Sequence, residues 1–453
     1  MIHGIQILEQ LRNETTGSAE DLRRVYNSIA NYCDAESNDP LEVAIARSLK
    51  RTKAALCDVA LLDFNDQAMP QAGSNVSTVL LKPVGDMCNM ACSYCYERER
   101  LRFSHQKKMR LEDMRRIVEN LMCDGSNVQE IFLHGGEPLL AGIEFFEALV
   151  NEVNSRFGEG KISFGVQSNA TLINDEWIEF FHRHEFRVGV SIDGDSSIHD
   201  RHRVFPNGNG SFNAVRENIS KLTGRVSNVG AIAVVTKRTM QERNSAARIF
   251  EALSELGIQY IDVHPALTVH DVAGSAANDN PSPRDFASFM GDLLSVWRCS
   301  QDTRVRVRNI ENVLENLSVV PSDTCYSSGR CGQILGIEPD GRVAPCTRPF
   351  SKHSILGNAL EDSIFAIERG RANKEFLDQE ARGRSKTKGC EWHSLCGQGN
   401  CPHERIRKDI QDVSGRHIYC TCDSLEPDEG FPGFFRALST HLTSLSRKLS
   451  PLI

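Results

Sequence analysis

From residue 76 to about residue 298 the chain alternates short apolar runs with longer amphipathic segments, six times over. The candidate strands are Thr78–Lys82, Glu130–Leu133, Ser163–Gln167, Arg187–Ser191, Val229–Val235 and Tyr260–Val263. The candidate helices lie near 111–122, 143–156, 174–184, 211–222, 240–256 and 284–298. Strands separated by helical crossovers pair in parallel, so this alternation predicts an α/β fold with a parallel barrel, full or partial. Asp271 to Pro283 reads as a polar loop before the last of these helices.

The flanks read differently. Residues 1–75 form a helical extension, with Leu8, Leu11, Leu22, Val25 and Ile29 at helical spacing and a polar break around Thr15–Ser18. Asp63–Ser77 is rich in linker residues. The tail from Phe431 to Ile453 reads as an amphipathic helix with Arg447 and Lys448 turned to solvent. The expected organisation is therefore 1–75, a barrel over 76–310, a cysteine-rich unit over 311–425 and a tail over 426–453.

The unusual residues sit where the predicted strands end. Cys88, Cys92 and Cys95 follow the first strand, and His134-Gly135-Gly136-Glu137-Pro138 follows the second. Ser168-Asn169 follows the third; Ser191 and Asp193-Gly194 follow the fourth. Parallel barrels build their active sites at the carboxyl ends of strands. Four such placements in register are hard to ascribe to packing.

Fifteen cysteines exceed what a reducing compartment uses for packing. The N-terminus Met1–Gln10 lacks the regions of a signal peptide, and no apolar run spans a membrane. Both point to a cytoplasmic protein in which clustered cysteines hold metal rather than disulfides. Cys33, Cys57, Cys123 and Cys299 are scattered and read as small buried hydrophobes. Three thiolates at 88, 92 and 95 fall one short of the set that normally holds a [4Fe–4S] cluster, leaving one iron open for a small molecule. The competing reading is a zinc site or a redox thiol pair, but a nearby fourth ligand for zinc is missing until His105. A net charge of −8, with 25% charged and 40% hydrophobic residues, fits a soluble enzyme and gives no nucleic-acid signal.

The spacing Cys-x3-Cys-x2-Cys, with Tyr94 before the last cysteine, resembles the radical S-adenosylmethionine (SAM) enzymes. The resemblance covers about 76–425. It implies a partial (β/α)6 TIM-like barrel and a [4Fe–4S] cluster whose open iron is chelated by SAM. Reductive cleavage of the sulfonium would then release a 5′-deoxyadenosyl radical that abstracts a substrate hydrogen, with an external donor of flavodoxin or ferredoxin type supplying electrons. Gly135-Gly136-Glu137-Pro138 looks like the family's methionine-binding element: glycines allow close backbone approach, and Glu137 offers an acceptor for an ammonium group. Ser191 and Arg203 resemble residues that bind the SAM carboxylate, and Gln167-Ser168-Asn169 resembles a further cofactor-side stretch.

Eight cysteines between Cys325 and Cys422 give the second signal. Cys325, Cys331 and Cys346 enclose the hairpin signal Glu338-Pro339-Asp340-Gly341-Arg342; Cys390, Cys396, Cys401, Cys420 and Cys422 follow. They resemble the SPASM domain, which carries two auxiliary [4Fe–4S] clusters and brings the expected total to three. By that resemblance Cys325, Cys331, Cys346 and Cys401 hold the first auxiliary cluster, and Cys390 and Cys396 belong to the second. Thr387 stands where another cysteine is usual, and the spacing Cys396-x4-Cys401 is one residue longer than usual. Either Cys420 and Cys422 complete the second set, or that cluster keeps an open iron. Structural zinc is the competing reading.

Two groups of SPASM enzymes resemble the chain most. Maturases of ribosomally made peptides form crosslinks, including cyclophanes; anaerobic sulfatase-maturating enzymes oxidise Cys or Ser to formylglycine. The latter carry an Asp, the proposed base, directly after the third auxiliary cysteine. Here Thr347 follows Cys346, and a threonine hydroxyl is a poor base near neutral pH. The sequence therefore favours a radical SAM oxidoreductase that matures a precursor peptide, with the sulfatase-type protein maturase as the alternative.

Overall fold

A computed structural model describes residues 18–61, 74–95, 97, 108–121, 126–266, 279–318, 322, 324–329, 331–346, 355–385, 392–393, 395–396 and 430–449. Cys123, Cys390, Cys401, Cys420, Cys422 and the side chain of Cys57 lie outside the described residues, as do Leu8, Leu11 and most of the loop from Asp271.

The chain opens with helices α1 (Ala19–Ala30) and α2 (Pro40–Leu61). The repeats follow: β1 (Thr78–Leu81), α3 (Leu111–Leu121), β2 (Glu130–Leu133), α4 (Ile143–Phe157), β3 (Ser163–Ser168), α5 (Asp175–Arg183) and β4 (Arg187–Ser191). Next come α6 (Ser196–His199), α7 (Phe212–Thr223), β5 (Val229–Val235), α8 (Lys237–Gln241), α9 (Ser245–Glu255), β6 (Tyr260–Pro265) and α10 (Pro283–Ser300). All six expected strands are present, paired in parallel and in chain order. Local chemistry starts several helices: Asn174 caps α5 by accepting from the Trp177 N–H, and Ser282 with Asp285 forms a capping box ahead of Pro283 in α10.

The helix expected over 240–256 is two helices. Thr236 caps α8, and the chain breaks at Asn244, whose φ of +57° lies in the left-handed region that asparagine tolerates better than most residues.

The sheet is larger than six strands. After α10 come β7 (Arg306–Val307), α11 (Arg308–Leu317), α12 (Cys325–Ser328), β8 (Ile334–Ile337), β9 (Arg342–Ala344), β10 (Gly357–Asn358), α13 (Ile364–Arg369), α14 (Arg371–Ser385) and α15 (Gly430–Leu449). The order is β10-β9-β8-β1-β2-β3-β4-β5-β6-β7. Strand β8 pairs parallel with β1, Thr78 opposite Ile334 and Leu81 opposite Ile337. Its hairpin with β9 turns through Gly341 at φ +80°. The cysteine-rich unit thus extends the barrel's own sheet, and the end strands β10 and β7 leave the barrel partial.

One apolar core runs through these elements. An aromatic layer fixes α4 and α5 on the sheet: Phe146 meets Trp177 edge-on at 4.8 Å, and Phe164 stacks on Phe186 at 5.4 Å. The terminal helices join the same core, with Leu22, Val25, Tyr26 and Ile29 of α1 buried alongside Phe434, Phe435 and Leu438 of α15. Helix α15 lies along α10 and α1. Lys448 is half exposed yet pairs with Glu42 at 3.1 Å, so it ties the two ends of the chain together. Cys299 is exposed, contrary to the expectation of burial, because its neighbour Trp297 takes the inward position in the last turn of α10; Cys33 is partly buried. No described helix is long and apolar enough to cross a membrane.

Candidate active site

The cysteine loop leaves β1 and is pinned on two sides. The Gly136 and Glu137 amides donate to Gly85 O and Met87 O, both at 2.8 Å. On the far side, Ala91 N donates to Val204 O at 2.8 Å and Ser93 N to His202 O at 3.0 Å. This is why two glycines follow β2. A Cβ on Gly136 would stand 2.1 Å from Met87 O; one on Gly135, whose φ is +116°, would stand 2.4 Å from Gly85 O. Any side chain there would drive the two loops apart.

Cys92 is buried, Cys95 partly so, and Cys88 exposed. The Cys88 and Cys92 thiols lie within electrostatic range of each other. Among the described residues, no three His, Cys, Asp or Glu side chains converge on a single-ion point. Three cysteines on one loop, one fewer than the four that normally hold a [4Fe–4S] cluster, suit a cluster with one iron open to a ligand. In the cysteine-rich unit, burial pushes the Cys331 thiol up to about 12, with nearby Glu380 adding to it; Cys325 and Cys346 also lie within its electrostatic range. A metal centre bound there would offset that burial, because it takes the thiolate form of its cysteine ligands.

Glu137 is fully buried and tied to β3. Its carboxylate accepts from the Asn169 amide at 2.7 Å, the Ser168 hydroxyl at 2.9 Å and the Leu139 amide at 3.2 Å. Burial nevertheless pushes its pKa up to about 7. Asn169 reaches the cysteine loop, its side-chain amide donating to Asn89 Oδ1 at 2.8 Å and approaching Cys88 Sγ at 3.7 Å. Asn89 in turn donates to Thr171 Oγ1 at 2.8 Å. Between them Ala170 is held at φ +62°, a strained conformation for alanine, in a fully buried position.

The expected partners Ser191 and Arg203 fall into different groups. Gln167 donates to the Ser191 hydroxyl at 2.9 Å. Arg203 instead donates through Nη1 to the Tyr94 hydroxyl at 3.1 Å, and Tyr94 donates to Asp193 at 2.5 Å. Asp193 also accepts from Val234 N at 3.0 Å. Burial pushes its carboxyl up, against the pull of Arg203. Among the described residues, Arg203 Nε is buried without a hydrogen-bond partner. Such an orphan donor, aligned in a guanidinium fork, fits an incoming carboxylate. The sequence placed Asp193 at a strand end but assigned it no task; its partner in a motif 99 residues away gave no local signal.

His134 Nδ1 accepts from Gly135 N at 2.7 Å and so braces its own loop. Lys82, also unassigned from sequence, is 1% exposed with its ammonium among Asp86, Glu97 and Glu338.

Known proteins agree with this architecture. Residues 83–250 match the Radical SAM superfamily and residues 325–402 the iron–sulfur cluster-binding domain SPASM. The serine-type anaerobic sulfatase-maturating enzyme of Klebsiella aerogenes is 30% identical over 379 residues, covering 83% of this chain and 88% of its own. The cysteine-type enzyme of Clostridium novyi is 28% identical over 386 residues, 82% and 98% of the two chains. The solved structure of native anSMEcpe with bound AdoMet and Cp18Cys peptide aligns over 82% of this chain and 99% of its own, at 26% identity and a TM-score of 0.70. Streptococcus suis SuiB bound to its precursor peptide SuiA shares the fold at 16% identity and a TM-score of 0.51, over 78% and 76% of the chains. The two domain matches carry iron–sulfur clusters and SAM as their cofactors. The chain belongs to the radical SAM superfamily, carries a SPASM domain and is homologous to the anaerobic sulfatase-maturating enzymes.

Proposed function

We propose that this chain is a protein maturase of the anaerobic sulfatase type, oxidising a Cys or Ser side chain to formylglycine. The observation that carries the reading is similarity, over 82% and 83% of the chain, to maturases of both the cysteine and the serine type. It reverses the preference drawn from Thr347 alone.

In this reading Cys88, Cys92 and Cys95 hold the first cluster. Gly135, Gly136 and Glu137 face the methionine end of SAM, Ser168 and Asn169 support that wall, and Ser191 with Arg203 and Tyr94 receives the carboxylate. When bound, the cluster and SAM supply one-electron reduction and hydrogen abstraction. The protein's part is orientation. Glu137, with its oxygens committed to the Asn169 and Leu139 amides and the Ser168 hydroxyl, fixes the two loops that bracket the cofactor. Tyr94, itself held by Asp193, orients Arg203 and leaves its buried Nε unpaired. Cys325, Cys331 and Cys346 belong to an auxiliary cluster, giving three clusters with the cysteines from 390 to 422.

Thr347 favours a second reading, the crosslink-forming peptide maturase, because it removes the carboxylate expected of a sulfatase maturase. The test is incubation of the anaerobically reconstituted enzyme with SAM, reductant and sulfatase peptides bearing Cys or Ser. The expected result is deoxyadenosine together with conversion of the thiol or alcohol to an aldehyde, read by mass. Deoxyadenosine without change in either peptide, and a crosslink in a peptide encoded beside the gene, would replace the first reading with the second.

A further inference from the structure

The cysteine loop begins and ends on a buried cation. Lys82 directly follows β1 and is 1% exposed. Its Nζ lies 2.8 Å from both carboxylate oxygens of Glu97, 3.5 Å from Glu338 and 4.0 Å from Asp86. Asp86 stands two residues before Cys88, and Glu97 two residues after Cys95. Glu338 comes from elsewhere: it directly follows β8 and opens the hairpin to β9 between the auxiliary cysteines Cys331 and Cys346. The aliphatic stem of Lys82 also underlies the cofactor loop, its Cγ 3.3 Å from where a Cβ of Gly135 would stand. One side chain therefore touches both flanks of the first cysteine motif, the glycine loop and the SPASM hairpin.

Burying an ammonium and three carboxylates is expensive, and hydrophobic residues of similar volume would often be as stable. Stability alone does not explain the arrangement. Cluster potentials respond to nearby fixed charge and to hydrogen bonding at the sulfurs, and charges act strongly where water is excluded. We propose that Lys82 is a positioning residue for the first cluster: it clamps the two flanks of the cysteine loop to the SPASM hairpin, and the charge of this cage acts on the cluster that the loop carries. SPASM thereby contributes to the SAM site through Glu338 as well as through its own clusters.

The two charges predict opposite effects. In the full chain, reconstituted anaerobically, Glu338→Gln removes one negative charge and keeps the shape. It is expected to shift the midpoint potential of the first cluster upward, read by paramagnetic resonance during redox titration, and to alter the spectral change on adding SAM. Lys82→Met removes the positive charge. It is expected to shift the potential downward, or to lose the iron of one cluster, about four per chain, while the SPASM iron remains. Lys82→Arg is expected to restore loading. A variant lacking Cys88, Cys92 and Cys95 supplies the auxiliary-cluster spectrum for subtraction. Wild-type potential and SAM response in Glu338→Gln would overturn the proposal, whatever becomes of Lys82→Met. Shifts of the same sign in both variants would also overturn it, since mere loosening of the fold has no sign.

Discussion

The Tyr94 hydroxyl and the Asp193 carboxylate meet at 2.5 Å and join the cysteine loop to the turn after β4. Arg203 donates to the same hydroxyl, so the phenol passes a hydrogen bond from a cation to a buried anion. Hydrogen bonds to charged groups are worth about 1.5–3 kcal/mol. Tyr94→Phe leaves Asp193 with the Val234 amide and frees a second guanidinium donor. The expected outcome is a loss of about 2 kcal/mol in urea unfolding of the cluster-free chain. Weaker SAM binding in equilibrium dialysis should accompany it. Unchanged stability would mean that water replaces the phenol at Asp193.

Gly136 has no room for a methyl group. Its Cβ would meet Met87 O at 2.1 Å and Asp86 C at 2.7 Å, and both are backbone atoms that cannot swing away. Gly136→Ala should therefore part the glycine loop from the cysteine loop, at a cost of about 1–3 kcal/mol. Gly224→Ala is the control, since its Cβ would find nothing nearer than 3.8 Å. Thermal denaturation should separate the two variants, and iron analysis should show poorer loading only in the first.

The strands were legible because each carries its own pattern. Val229–Val235 alternates buried and half-buried side chains along its whole length, and its ends fall where the sequence put them. Strand β8 was not legible as barrel structure, because its parallel partner β1 lies some 250 residues away and the pairing leaves no local mark. The site divided in the same way. Cys88, Cys92, Cys95 and the glycine pair announce themselves by spacing and residue type. Asp193 and Lys82 look like ordinary charges until the fold brings Tyr94 to one and Glu97 and Glu338 to the other. Ser191 and Arg203 share a strand-end neighbourhood in the sequence, yet no hydrogen bond joins them.

The terminal helices depend on each other. Leu22, Val25 and Ile29 of α1 are fully buried, as are Phe435, Leu438 and Leu442 of α15, in one core. Removing residues 1–61 would expose that face of α15 together with α10, at roughly 25 cal/mol per Å² of apolar surface uncovered. The expected result is a truncated chain that aggregates or melts well below the full-length protein. A soluble truncation with the full-length melting temperature would show that this extension merely leans on the barrel.

Glu137 makes a prediction about pH. Burial raises its pKa from 4.5 to about 7, against the pull of the Asn169 and Leu139 amides and the Ser168 hydroxyl. Between those two values the folded chain keeps a proton that the unfolded chain has lost. Stability therefore falls as pH rises through this window, by about 3 kcal/mol from this group alone. Below 4.5 both states hold the proton and the group is silent. Glu137→Gln is isosteric with the protonated acid and does not titrate. Urea unfolding of cluster-free wild type and variant at pH 5 and pH 7.5 isolates the effect, because all other titrations are common to both. The variant should gain on the wild type by about 2.4 kcal/mol between the two pH values, since part of the full linkage is already lost at pH 5. A pH-independent difference would mean that the Asn169 and Leu139 amides already hold Glu137 ionised at pH 5, and that its place between the loops carries no burial cost for a bound cation to relieve.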